Sequence, residues 1–168
     1  MGVLANDEWS HLTDRIIGAA IGVHTVLGPG FQEAIYHRGL CLELRAGGYH
    51  TSSEVQVPVY YRGVLLGKHR LDLVVAGRAV VELKAVRQFD AAHFAQVRSY
   101  LAASGHPVGM LINFSGPKVE CRRVYPPSAR SQFLGSRASR VLVPSVGLPT
   151  SGPMLEGLPE LPADPGQA

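Results

Sequence analysis

The stretch Arg70-Leu-Asp72-Leu-Val-Val-Ala-Gly-Arg-Ala-Val-Val-Glu82-Leu-Lys84 constrains this chain more than any other. Its apolar residues spell two β-strands, and Ala76-Gly77-Arg78 between them is a turn. A three-residue hairpin loop with Gly77 near its left-handed position pairs Val75 with Ala79. Counting outward, Asp72 then falls opposite Glu82, and Arg70 opposite Lys84. Directly opposed residues of an antiparallel pair share a face, so two carboxylates and two cations lie together among Val and Leu. The carboxylates repel each other, and positive charge is needed beside them. A divalent metal supplies it: Asp72, Glu82 and a backbone carbonyl form a hard-oxygen set suited to Mg²⁺. Arg70 and Lys84 also supply it, as a salt-bridged hairpin without metal. Loop parity matters as well, because a two-residue loop would set Asp72 opposite Val81 and separate the carboxylates.

The rest of the chain has to decide between these readings. With 168 residues, 46% of them hydrophobic, it is one globular domain with room for a sizeable core. No apolar run is long enough to span a bilayer, and the first residues lack a signal peptide's basic start and apolar centre. No membrane partner is expected. Cys41 and Cys121 are too few for a disulfide framework and are not spaced as a metal clip, so a reducing cytoplasm is the expected compartment. The net charge of +3 permits an anionic partner such as nucleic acid without demanding one.

Along the chain, Ile16, Ala20, Val23 and Leu27 repeat at helical spacing over 14–27, with Thr13 as the expected cap and Gly28-Pro29-Gly30 as the stop. A second helix is expected from about Phe31 to Ala46, ending at Gly47-Gly48. Glu33, Tyr36, His37, Leu40 and Leu44 form one stripe of it. Phe31, Ile35 and Leu42 lie opposite, so the spacing predicts a helix sandwiched between other elements. From Glu54 the period becomes two, and Pro58 argues for an edge strand or a bulge. After the hairpin, Asp90 caps a helix running to Ala103 with Gly105 as its stop, followed by a buried strand at 108–114 and a more polar one at 118–125. Eight of the twelve prolines fall from Pro126 onward, among Ser, Gly and Leu without periodicity, which reads as a disordered or loosely docked tail over 126–168. Residues 1–11 read as an N-terminal extension and 12–125 as the domain. Helix, helix, three strands, helix and two strands make a mixed α/β (α+β) sheet with flanking helices.

On the 90–103 helix, His93, Gln96 and Tyr100 share a face beside the apolar stripe of Phe94, Val97 and Leu101. Each piece has an ordinary explanation: polar residues at a helix margin, or Glu33 complementing a helix dipole. Taken together they form a recognisable set. Gly30-Phe-Gln-Glu33-Ala-Ile-Tyr36 resembles the motif of the GxxExxY protein family, within the PD-(D/E)XK nuclease superfamily. The stretches around His24, Arg70-Leu-Asp72, Val81-Glu-Leu-Lys84, His93-Phe-Ala-Gln96 and Leu111-Ile-Asn-Phe114 resemble that family too, in order, from about Leu12 to Tyr125.

The resemblance implies a restriction-endonuclease-like αβββαβ core preceded by an extra N-terminal helix. It implies that Asp72 and Glu82 bind Mg²⁺ or Mn²⁺ with Glu33 assisting, and that Lys84 orients the attacking water or stabilises phosphorane charge. Gln96 and Tyr100 resemble the Gln-xxx-Tyr feature of RecB-like nucleases. Tyr36, Arg70 and His24 are further candidates for substrate contact. DNA is the implied partner, with RNA as an alternative, and the expected reaction is hydrolysis of phosphodiester bonds. Such chemistry needs an activated water and positive charge at the developing anion, which a carboxylate-held metal and a nearby Lys provide. Leu71 stands where the superfamily's name has Pro, and with two cysteines the chain cannot carry the four-cysteine iron–sulfur cluster of some RecB-like relatives. A binding or interaction module that kept the fold without catalysis is the rival expectation. The edge strand near Val55–Tyr61 offers a surface for a homodimer.

Overall fold

The computed structural model describes residues 7–126. The expected tail lies outside the described residues, apart from Pro126. Helices α1 (Asp7–Leu27) and α2 (Glu33–Ala46) precede strands β1 (Thr51–Tyr61), β2 (Val64–Val75) and β3 (Ala79–Lys84). Helix α3 (Ala91–Ser104) then crosses to β4 (Val108–Asn113), and β5 (Glu120–Val124) completes the sheet. The spatial order is β1-β2-β3-β4-β5, antiparallel except for the parallel β3–β4 pair that α3 connects. β1 is thus an edge strand, and Pro58 sits on it.

Two apolar layers flank the sheet. Leu73, Val75, Ala79, Val81 and Leu83 face α1 and α2, meeting Ile16, Ala20, Tyr36, Leu40 and Leu44. Leu71, Val74, Val80 and Leu111 face α3, meeting Val97, Tyr100 and Leu101. The α3 layer comes so close that a Cβ on Gly109 of β4 would stand 2.4 Å from Val97 Cγ1, so only glycine fits there. α3 itself starts at a capping box: Asp90 accepts from the His93 backbone, and the His93 ring reaches back to the Asp90 N–H. It ends at Gly105 in the left-handed conformation, φ 73°.

Three expectations needed correction. Thr13 does not cap α1, which begins at Asp7 rather than Asp14. Thr13 is buried inside it, donating to Ser10 O and accepting from Arg123 Nε at 2.7 Å, so its hydroxyl ties the helix to β5. α2 is not sandwiched: Ile35 and Leu42 are exposed, Leu42 by 68%. Its apolar stripe of Tyr36, Leu40 and Leu44 is buried as expected, and nothing among the described residues covers the other side. Arg70 does not oppose Lys84, because the β2–β3 ladder stops at Leu73↔Val81, and Arg70 pairs instead with Gln56 of β1.

Candidate active site

The turn between β2 and β3 has the expected parity. Val75 pairs with Ala79, Val74 with Val80 and Leu73 with Val81, around Ala76 (φ 53°) and Gly77 (φ 64°). One step further on, at Asp72, the ladder parts. Leu71 faces the α3 layer and Leu73 the α1–α2 layer, although residues two apart on a regular strand share a face. The alternation slips at Asp72. On the other side of β2, Ser53 pairs with Leu73 and Val55 with Leu71, and Glu54 between them has φ 54°. A left-handed conformation costs a residue with a Cβ about 1–2 kcal/mol. Asp72 therefore occupies a break in both of its ladders, and its Oδ2 takes over the missing bond by accepting from the Leu83 N–H at 3.2 Å.

Glu82 and Lys84 follow from strand periodicity: two apart on β3, they share a face, and Lys84 Nζ lies 2.5 Å from Glu82 Oε1. Glu82 is only 2% exposed, and its second oxygen, Oε2, is buried without a hydrogen-bond partner among the described residues. Burial, opposed by the Lys84 hydrogen bond and reinforced by the negative charge of Asp72, pushes the Glu82 carboxyl up to about 7. Burial works against the charge on Lys84, but its bond to Glu82 and the charges of Glu33 and Asp72 outweigh that and raise its pKa. Glu33, the first residue of α2, comes to the same place from the other layer, where it lines a hollow together with Asp72. Its pKa is raised by burial and by Asp72, against the pull of Lys84 and His37. Asp72, Glu82 and Lys84 thus come together where β2 and β3 separate, with Glu33 beside them.

Gln96 and Tyr100 close the α3 side. They are one helical turn apart, and Gln96 Nε2 donates to Tyr100 Oη at 2.6 Å. Burial raises the Tyr100 hydroxyl's pKa, and the charge of Glu82 raises it further, so this pair adjoins the acidic cluster. On the other side a hollow of about 450 Å³ opens between Glu33, His37, Arg38, Ser53, Glu54, Arg70 and Asp72. Arg70 stands at its rim, 3.5 Å from Glu54 in an exposed ion pair.

Two expected substrate contacts lie elsewhere. Tyr36 is fully buried, and its hydroxyl is spent on the loop before α2: it donates to Gly28 O at 2.6 Å and accepts from Phe31 N at 3.1 Å. Its ring stacks on Phe114 at 4.5 Å. Tyr36 therefore fastens the turn that aims Glu33. His24 bonds Gly116 O through Nε2 at 2.9 Å and lines a different hollow, with Pro29 and Lys118. Both residues stitch α1 and α2 to the far end of β4.

His37, Arg38 and Asn113 carry no expected site role from the sequence. His37 lies one turn after Glu33 and bonds the Asp72 carbonyl at 3.1 Å, and that i+4 spacing was the available signal. Asn113 is buried at the end of β4; its Oδ1 accepts from the Val86 and Ser115 N–H groups and its Nδ2 donates to Val86 O. It fixes the segment that follows Lys84.

Among the described residues no three His, Cys, Asp or Glu side chains stand close enough to enclose an ion. The donor chemistry nonetheless fits one. Two acidic side chains meet at a broken ladder with a third beside them, and Glu82 Oε2 is an oxygen that burial has stripped of water and given no partner. A sequence model of the PD-(D/E)XK nuclease superfamily matches residues 10–124. The chain belongs to that superfamily. The match takes in both layers, the hairpin and every candidate residue named above, and the mixed five-stranded sheet with helices on both faces is consistent with the restriction-endonuclease-like fold of this superfamily. PD-(D/E)XK nucleases typically use divalent metals, which agrees with the oxygen-rich character of the cluster.

Similar solved structures include one described as SSO0001, 17% identical, with a TM-score of 0.46, covering 73% of this chain and 69% of that one. An alkaline exonuclease from Laribacter hongkongensis is 12% identical with a TM-score of 0.42, covering 76% of this chain and 86% of its own. The same exonuclease in complex with dAMP is also 12% identical, with a TM-score of 0.41 and coverage of 73% and 86%. No curated protein sequence matches the chain. Among the described residues no helix is long and apolar enough to cross a membrane.

Proposed function

We propose that this PD-(D/E)XK protein, of the GxxExxY type by its Gly30–Tyr36 motif, is a Mg²⁺- or Mn²⁺-dependent nuclease that hydrolyses DNA phosphodiester bonds. The observation that carries the reading is the partnerless, buried Oε2 of Glu82 beside Asp72, Glu33 and Lys84. Asp72 and Glu82 would hold the ion, with Glu33 acting directly or through water, since Mg²⁺ keeps several of its waters. A bound divalent ion supplies a lowered water pKa and a Lewis acid for the phosphate.

The chain's own residues supply the rest. Lys84 stays charged well above neutral pH because three carboxylates surround it, so it offers a fixed cation to the anionic phosphate as charge develops. Gln96, locked to Tyr100, presents its amide oxygen and remaining donor capacity at the α3 edge of the cluster. Arg70 and Arg38 at the rim of the hollow are placed for the phosphates on either side of the scissile one. The buried, largely apolar strands beneath exclude bulk water from Glu82, which strengthens its interaction with Lys84.

Calorimetric titration with Mn²⁺, paired with cleavage of single- and double-stranded DNA, tests the reading on wild type, Asp72→Ala and Glu82→Ala. Binding and cleavage present in wild type and lost in both variants is the expected result. A folded wild type that binds no metal and cuts neither substrate would sink it. The absence of a closed three-ligand cluster among the described residues favours one rival, a nucleic-acid-binding module without catalysis. That rival predicts salt-dependent DNA binding and no cleavage with any divalent ion.

A further inference from the structure

The β1–β2 hairpin extends well past the core. Every residue from Tyr60 to Lys68 is exposed, among them Tyr60 (49%), Leu65 (49%) and Leu66 (66%). From Val55 to Leu71 there is no Asp or Glu, while Arg62, Lys68 and Arg70 are present. The register sorts these residues by face. Gln56 pairs with Arg70, Pro58 with Lys68 and Tyr60 with Leu65, and opposed residues share a face. Arg70, Lys68 and Tyr60 therefore form one row, while Val57 and His69 face α3, where His69 meets the Tyr100 ring at 5.0 Å.

The row starts at the candidate site, because Arg70 lines the hollow that contains Glu33 and Asp72. Two residues along a strand advance it by about 6.7 Å, a step comparable to that between phosphates on an extended nucleic-acid strand. Among the described residues no ion pair engages Lys68. Beyond it Leu66 is an extra residue on β2, since Val59 pairs with Gly67 and Tyr60 with Leu65, and such a bulge increases the local twist. The tip is a two-residue turn with Arg62 (φ 50°) and Gly63 (φ 81°) both left-handed, and the Arg62 guanidinium lies 5.3 Å from the centre of the Tyr61 ring.

The geometry points to the row Arg70–Lys68–Tyr60 as the path of a single nucleic-acid strand leading to the carboxylate cluster. This rests on the nuclease reading above and extends it to the form of the substrate. Cations that follow a backbone, ending at an exposed aromatic ring, make a surface for phosphates and an unpaired base. A base in a duplex has its faces covered by its neighbours and cannot stack on Tyr60. Apolar Leu65 and Leu66 beside the ring widen the stacking platform.

The test is fluorescence anisotropy of a labelled single-stranded oligothymidine with the full chain in EDTA, where no cutting occurs. Lys68→Ala is expected to weaken binding about fivefold and to reduce the salt slope by about 0.7. Tyr60→Ala is expected to weaken it about tenfold. Tyr61→Ala, on the opposite face, stays within about twofold of wild type. All three variants keep wild-type hydrolysis of bis(p-nitrophenyl) phosphate, which is too short to reach the hairpin. Wild-type affinity in both Lys68→Ala and Tyr60→Ala would overturn the inference, as would a wild type that binds no oligothymidine or prefers duplex. Light scattering that shows a dimer dissociated by Tyr60→Ala would also overturn it, by giving the face to a second copy. Hairpin-dependent binding without cleavage under any divalent ion would uphold this path and defeat the nuclease reading.

Discussion

Strand β2 has two halves that obey different rules. From Leu71 to Val75 its apolar residues are at most 5% exposed and packed on both faces, and the only charge there, Asp72, replaces a missing backbone bond. From Val64 to Lys68 every residue is exposed, and the charge it carries is positive. The inner half is stabilised by burial; the outer half is stabilised by its turn and ladder alone. A side chain in the inner half is therefore constrained by the fold, and one in the outer half by whatever it touches outside the molecule.

Four predictions, resting on five substitutions, would break or sharpen this contrast. Asp72→Asn keeps the shape but removes the charge at the broken ladder, and cleavage should fall about 10³-fold, equivalent to about 4 kcal/mol of barrier. Single-turnover assays with DNA check this, and activity within tenfold of wild type would exclude Asp72 from the chemistry. Leu71→Ala, at a position with no exposure, should cost about 3 kcal/mol in denaturant unfolding, whereas Leu66→Ala in the outer half should stay within about 0.5 kcal/mol. Equal losses would erase the distinction between the halves.

The third prediction concerns pH. Burial holds the folded Glu82 carboxyl at about 7, well above its ordinary value of 4.5, so between those values the folded protein keeps a proton that the unfolded chain has released. Stability of the metal-free protein therefore falls as pH rises through that window, by about 3 kcal/mol. Glu82→Gln should flatten the decline when midpoints are compared at about pH 5 and about pH 7.5, and an unchanged decline would remove Glu82 as its cause. Tyr36→Phe should have the smallest effect. It strands the Gly28 carbonyl and the Phe31 N–H, costing about 1.5 kcal/mol in thermal unfolding, with turnover of the folded fraction within about twofold of wild type.

Local signals were the legible ones. The three residues 76–78 set the parity that aligns Val75 with Ala79, and Asp90 and Gly105 mark both ends of α3, because turns and caps are decided by a few neighbouring residues. What depends on the partner of a side chain was not legible. Periodicity showed that Ile35 and Leu42 share a side of α2 but could not show whether anything covers them. Tyr36 stands three residues after Glu33, yet its ring turns into the core while Glu33 lines the hollow beside Asp72. Arg70 was expected to face Lys84, but the ladder parts at Asp72 and Arg70 turns to Glu54 instead. The sequence carries no mark of that break beyond an acid in an apolar run.

The slip in alternation at Glu54 and Asp72 also bears on how such a chain can change over generations. It uncouples the facing of the outer hairpin from that of the inner strands, so a residue gained or lost beyond Gln56 and Arg70 does not turn Leu73 or Val75 out of the core. The same seam that presents Asp72 to its neighbours thus lets the hairpin vary in length and chemistry on an unchanged scaffold. Divergence among proteins built this way should gather in the outer hairpin, where a new binding partner can be accommodated without refashioning the carboxylate cluster.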